Sequence, residues 1–285
     1  MLLAWPPVPG SQRFAELVQG PEDAIALDVA CLLIAAHGRP SPDPEVVVAA
    51  GQGALDALAG GCAGSDLDDI RAHLFGTMGF TGNRGRYDDP RNSFLDDVLR
   101  RRTGIPITLA VVVIEVARRL GLSLDAVGMP GHFLVGAGGG WYVDAFDGGR
   151  MLDVAACQRR FRELAGPDAP WSPELLEPVG PRAVVTRVLG NLRALSAEAQ
   201  DIRRLEAVLE LRVAIPGVAD AERSEWASVL AALGRYDEAA RQLELLADSA
   251  SPRGGSRHPS GRPAAEPDAV GALRAQAARL RARLN

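Results

Sequence analysis

The segment from Gly104 to Gly121 constrains the fold more than any other. Between Pro106 and Leu120 only Thr108, Glu115, Arg118 and Arg119 are polar. Pro106 stands in the first turn, where a proline breaks no intrahelical hydrogen bond, and Gly121 marks the end. A helix that is apolar around most of its circumference has to be wrapped by other elements. The spacing therefore predicts a central, mostly buried helix. The apolar run Ile105 to Ile114 stops at Glu115 and is too short to span a bilayer.

Upstream, residues 14–37 read as a helix carrying Ile25, Leu27, Val29, Leu32 and Leu33, with Asp28 interrupting the apolar pattern. His37-Gly38-Arg39-Pro40 closes it. Residues 44–60 and 66–76 read as two more helices. The glycine-rich stretch 79–90 reads as a loop, followed by a helix over 94–102 capped by Asn92 or Ser93.

Downstream, His132–Val135 and Trp141–Asp144 are strand-like and joined by a glycine-rich turn, which predicts a hairpin. Pairing Val135 with Trp141 sets His132 directly opposite Asp144, with Cβ atoms roughly 4.5–5.5 Å apart. A carboxylate so placed fixes the imidazole tautomer and leaves the second ring nitrogen free as a base. The same spacing serves a structural His–Asp pair, and periodicity alone favours that reading.

From about residue 183 the pattern is wholly helical. Leu192/Trp226, Leu209/Leu243, Glu210/Glu244 and Leu211/Leu245 recur at an offset of 34. Trp226 to Ala239 has the form of a tetratricopeptide turn. Residues 249–267 read as a flexible linker and 269–284 as an amphipathic helix. The expected organisation is 1–180, 181–248, the linker at 249–267, and a final helix at 268–285.

Composition narrows the chemistry. All 31 basic residues are arginine against 36 acidic ones, for a net charge of -5. Codon bias in a genome rich in G and C accounts for the missing lysine, but its absence removes Schiff-base chemistry, a low-pKa amine base and the Walker lysine. The acidic balance argues against nucleic-acid binding. Cys31, Cys62 and Cys157 form no CxxC and no disulfide framework, so a reducing cytoplasm is the expected compartment and core positions the expected role. The N-terminus lacks the basic and long apolar regions of a signal peptide. His37, His73, His132 and His258 lack the spacing of a metal-ligand set, and no cofactor or membrane is expected.

An ordered set of motifs goes further. It comprises Tyr87-Asp88-Asp89-Pro90-Arg91-Asn92-Ser93-Phe94-Leu95, Val98-Leu99, Arg102-Thr103-Gly104-Ile105-Pro106-Ile107, Pro130-Gly131-His132-Phe133-Leu134-Val135 and Val143-Asp144-Ala145-Phe146. Together they resemble the transglutaminase-like superfamily. More narrowly, they resemble a bacterial branch described as invasion-regulator-like, with a tetratricopeptide-type C-terminal region. The resemblance covers roughly residues 14–250.

It implies an α+β fold: a papain/transglutaminase-like core with a central helix on a small antiparallel sheet, a helical N-terminal part and a helical-repeat C-terminal region. Catalytic members carry Cys, His and Asp in that order. His132 and Asp144 match the last two, and the cysteine position falls on Pro106, as is common in this branch. No acyl-thioester can form on proline. Thr108, two positions on, and Cys157, if it folded back, are the substitutes within the chain. The expected catalytic set is His132, Asp144 and Thr108, with Tyr87, Arg91, Asn92, Pro106, Gly131 and Tyr142 lining a binding cleft. The resemblance implies a binding or regulatory module for a peptide or acyl ligand, with a protein partner on the helical repeats. The alternative is an enzyme using His132/Asp144 for acid–base hydrolysis or acyl or amine transfer.

Overall fold

Gly20 and Pro21 split the first expected helix in two. The computed structural model, which describes residues 9–38, 43–218, 220–250 and 267–284, shows α1 (Pro9–Gln19) and α2 (Leu27–His37) joined by a 3-10 turn at Glu22–Ala24. Pro21 holds an extended backbone (φ −57°, ψ 146°), and a proline disfavours helix in the residue before it. α3 (Pro44–Gly60) starts where the Asp43 carboxylate accepts from the Glu45 N–H. α4 (Leu67–Arg71) runs into a π-helical segment, Ala72–Thr77. α5 (Leu95–Arg101) and α6 (Pro106–Arg119) follow.

The glycine-rich stretch is not all loop. β1 (Thr81–Gly82) pairs in parallel with β2 (Thr103–Gly104), which ties the stretch to the start of α6. α6 is the expected central helix: α2, α3, α4 and α5 pack on it, as do the sheet strands β3 (Asp125–Val127) and β4 (Leu134–Gly136). Its one acid, Glu115, is buried but paired. Arg118 Nε lies 2.9 Å from it and Arg119 Nη1 2.8 Å. Arg119 also reaches Asp28 at 2.7 Å and Asp56 at 2.6 Å. The acid that interrupts the α2 pattern thus has its cation on α6.

The expected hairpin gains a strand on each side. The sheet runs β3-β4-β5-β6, with β5 (Trp141–Asp144) and β6 (Arg150–Asp153), antiparallel throughout. Its register differs by two residues from the expected one: Val135 pairs with Val143, not Trp141. The cause is the turn. Ala137 and Trp141 close it (N···O 2.9 Å), leaving Gly138, Gly139 and Gly140 as the loop, all at positive φ. A two-residue shift keeps every side chain on its face and makes His132 a diagonal neighbour of Asp144.

α7 (Val154–Ala165) covers one face of this sheet through Cys157 and Phe161, which pack with Met129, Leu134 and Leu152. α8 (Pro181–Glu198) begins after a short connection. Compact packing divides the chain into residues 1–195 and 196–285.

In the second unit lie α9 (Ile202–Ala214), α10 (Asp220–Ala232), α11 (Tyr236–Ala250) and α12 (Pro267–Arg281). Ala227, Leu230, Ala239, Ala240, Leu243, Ala277 and Leu280 form one core there. Gly234 turns the chain at φ +78°, and Arg235 beside it pairs with Glu206 and Glu238. The expected linker begins inside α11, and its residues 251–266 lie outside the described ones. Among the described residues no helix is long and apolar enough to cross a membrane.

Candidate functional site

His132 stands in the turn that leads into β4. Gly131 adopts φ +74°, which a side chain would strain, and the His132 N–H closes the turn on the Met129 carbonyl at 3.0 Å. Arg187 on α8 clamps the same turn. Its Nη2 donates to the carbonyls of Met129 (2.9 Å) and His132 (2.7 Å), and its guanidinium lies over Phe133.

Asp144 ends β5 and caps the 3-10 turn Ala145–Asp147, its Oδ1 accepting from the Phe146 and Asp147 N–H groups at 3.1 Å each. Its Oδ2 lies 2.9 Å from His132 Nε2 and 3.3 Å from Arg160 Nη2. The sequence thus brings the His–Asp pair together despite the shifted register. Nε2 is sealed from solvent and approaches Oδ2 off the axis of a ring N–H, so the two groups are in close contact without an aligned hydrogen bond. His132 is 5 % exposed and Asp144 1 %. Burial pushes the Asp144 carboxyl up, but His132, Arg160 and the Asp147 N–H together outweigh it and hold the pKa below its ordinary value.

Phe146 organises the surroundings. Its ring stands edge-on to His132 (6.3 Å) and to Tyr87 (5.9 Å). Gly82 lies against it so closely that a Cβ there would sit 2.4 Å from the ring. Because Gly82 pairs with Gly104, this contact links the start of α6 to the His132 corner. Tyr87 is half exposed and opens that corner to solvent.

The remaining expected site residues have other partners. Asn92 is fully buried and anchors the 83–92 loop: its Nδ2 donates to the carbonyls of Arg86 (2.8 Å) and Tyr87 (3.3 Å), and its Oδ1 accepts from Asn83 (3.0 Å). Arg91 grips Asp89 with Nε and Nη2, which holds the Asp89 pKa down at about 2. Pro106 is buried at the first position of α6. The Thr108 hydroxyl donates to the Asn92 carbonyl at 2.7 Å and accepts from the Ile105 N–H at 3.2 Å, capping the helix. Tyr142 packs against the core beneath α7. Cys157 lies in that core with no exposure, and burial pushes its thiol up to about 12, which removes it as a thiolate nucleophile.

Arg187, Arg160 and Phe146 belong to the corner, and reading the sequence alone missed them. Arg187 left one trace: a charge flanked by Val184, Val185, Val188 and Leu189, all buried. Among the described residues no cluster of His, Cys, Asp and Glu has the makings of a metal site. A cavity of about 590 Å³ lies apart from this corner, between α2, α6, β3 and the start of α8, where Asp28, Gln52, Glu115 and Arg118 line it.

Comparison with known proteins places this corner in a family context. Residues 52–190 match the family model described as Transglutaminase-like superfamily. A protein named UPF0162 protein from Xylella fastidiosa is 44% identical over 134 residues, covering 45% of this chain and 48% of its own length. The human F-box only protein 21 is 35% identical over 140 residues, covering 45% of this chain and 21% of its own. Protein SirB1 of Salmonella typhimurium is 27% identical over 153 residues, covering 52% and 55%. The chain thus spans about half the length of the first curated relatives it matches. No solved structure matches it. Both the His132–Asp144 pair and the central helix α6 fall inside the matched stretch, residues 52–190, which is similar to a transglutaminase-like domain.

Proposed function

We propose that this domain is a non-thiol binding or regulatory module, holding a peptide or acyl ligand at the His132 corner. Partner recognition falls to the C-terminal helices, read as tetratricopeptide-like. One observation carries the reading: the superfamily's nucleophile position has no nucleophile. Pro106 occupies it, the nearby Thr108 hydroxyl is committed to the Asn92 carbonyl, and Cys157 is buried with its thiol pushed up. The His–Asp pair is nearly sealed, which suits a fixed structural contact better than proton traffic. The 34-residue recurrence and the Arg235 ion pairs at the α10–α11 turn support the repeat reading.

The test is an assay of the purified chain with acyl thioesters and glutamine-containing peptides. Intact-mass spectra are expected to show no acyl-protein, and hydrolysis should stay at the buffer rate. Partner binding should survive His132→Ala. Turnover that disappears in His132→Gln would replace this reading with the alternative one, an acid–base enzyme that uses the retained pair.

A further inference from the structure

Arg187 is a half-buried cation without a counter-charge. Among the described residues it makes no ion pair. Its two hydrogen bonds both leave from Nη2 and end on neutral carbonyls, those of Met129 and His132. A guanidinium carries five N–H donors, so the donors on Nε and Nη1 remain, and neither atom is sealed from solvent. Other arginines of this chain show what a charge in a protected place normally gets: Arg119 has Asp28, Asp56 and Glu115, and Arg212 has Glu222. Burial without such a partner weakens the hold of Arg187 on its proton, and only the nearby Tyr87 phenol works the other way.

The neighbours form a chain of contacts around one corner. Arg187 bonds the His132 carbonyl, His132 faces Phe146, and Phe146 faces Tyr87, whose phenol is near enough to feel the Arg187 charge. Tyr87, at 52 % exposure, leaves that corner open. It therefore offers a half-buried cation with spare donors, two aromatic edges and a phenol. A partly desolvated charge of this kind gains from an opposite charge brought by a ligand.

We propose that Arg187 and Tyr87 form a recognition site for a carboxylate-bearing ligand beside His132, such as a peptide C-terminus or an acyl chain ending in a carboxylate. The assignment rests on the binding-module reading for its location and adds the chemical class of ligand. The other cations of the corner are paired, Arg160 with Asp144 and Arg84 with Asp147, so Arg187 has room for one negative charge. Asp144 stays ionised close by and Asp147 follows it, so a dianion such as phosphate meets repulsion there.

The full chain, labelled with ¹³C at its histidine rings, provides the test. The His132 resonance is identified by its loss in His132→Gln. N-acetylglycine is expected to shift that resonance saturably, while N-acetylglycinamide at equal ionic strength does not. Arg187→Gln should weaken the acid at least tenfold. Arg187→Lys, which keeps the charge, should weaken it less, and Tyr87→Phe by a few-fold. If Arg187→Gln fails to fold, the acid–amide comparison in the wild type and in Tyr87→Phe decides. Equal shifts by acid and amide, inorganic phosphate binding as tightly as the acid, or undiminished binding in a folded Arg187→Gln would each overturn the proposal. Turnover dependent on His132 would sink the module reading and leave this site standing. Loss of acid preference would do the reverse.

Discussion

Asp144 holds three things at once: the cap of the 145–147 turn, the imidazole of His132 and the guanidinium of Arg160. Asp144→Asn keeps the shape and removes the charge. It puts an amide where the Arg160 guanidinium and the His132 ring converge, so a loss of about 3 kcal/mol in a urea melt is expected. The folded pKa of Asp144 lies below its unfolded value. Its contribution is therefore complete above the ordinary carboxyl range, near about 4, and is lost as pH falls through the folded value. An acid titration of stability should be shallower in Asp144→Asn; equal slopes would refute this. Gly82 shows the opposite kind of constraint. A Cβ there meets the Phe146 ring at 2.4 Å and the Phe146 backbone oxygen at 2.6 Å, and backbone cannot swing aside. Gly82→Ala should cost about 1–3 kcal/mol and move the His132 ring resonances through Phe146. Unchanged histidine spectra would show that Phe146 does not transmit the strain.

Helices were legible in the sequence where periodicity was long, and the short strands β4 and β5 where a glycine-rich turn joined them, while the other short strands were lost. α6 could be read from its apolar circumference, and α3 falls on the helix expected over 44–60. β1, β2, β3 and β6 are two to four residues long, too short for alternation to register, and they form only because neighbours supply the pairing. The His132–Asp144 contact was legible because a register shift of two residues conserves the face. Arg187 was not, because it reaches its site from a helix 55 residues away in the chain. The same long reach joins α2 to α6 through Asp28 and Arg119, a contact across 91 residues. Burial raises the Asp28 carboxyl, yet Arg119 and the Val29 N–H bring it below its ordinary value. Arg119→Ala takes the nearest cation from buried Asp28 and one of two from Glu115, and should cost about 3–5 kcal/mol, with the burial that raises the Asp28 carboxyl then less opposed. A calorimetric melt at pH 5 and pH 8 checks this: the variant should be relatively more stable at the lower pH. In the same helix Thr108→Val leaves the Asn92 carbonyl unpaired and should cost about 1–3 kcal/mol. Thr108→Ser should restore it.

At the scale of the whole molecule, the ion pairs described above draw their permanent cations from arginine, since the chain contains no lysine. Arginine keeps its proton beyond pH 12, whereas a lysine pair dissolves near about 10.4. Rising pH therefore leaves the arginine pairs intact, in the domain over 52–190 as in the helices after 195. The groups that lose protons as pH rises are the buried thiols, joined by the Tyr87 and Tyr142 phenols, whose pKa values burial also raises. Cys31 and Cys157 are buried, and their folded pKa values lie above the unfolded ones, Cys157 at about 12. Groups raised in this way stabilise fully below the unfolded thiol pKa, near about 8.5, and that stability drains away as pH climbs toward the folded value. Cys31→Ala with Cys157→Ala should accordingly flatten the decline in melting temperature between pH 8.5 and about 11, even though the double variant starts lower from the cavities it opens. An unchanged alkaline slope would exclude the thiols as its cause. A chain whose arginine ion pairs outlast high pH is thus expected to carry part of its base sensitivity in buried sulfur.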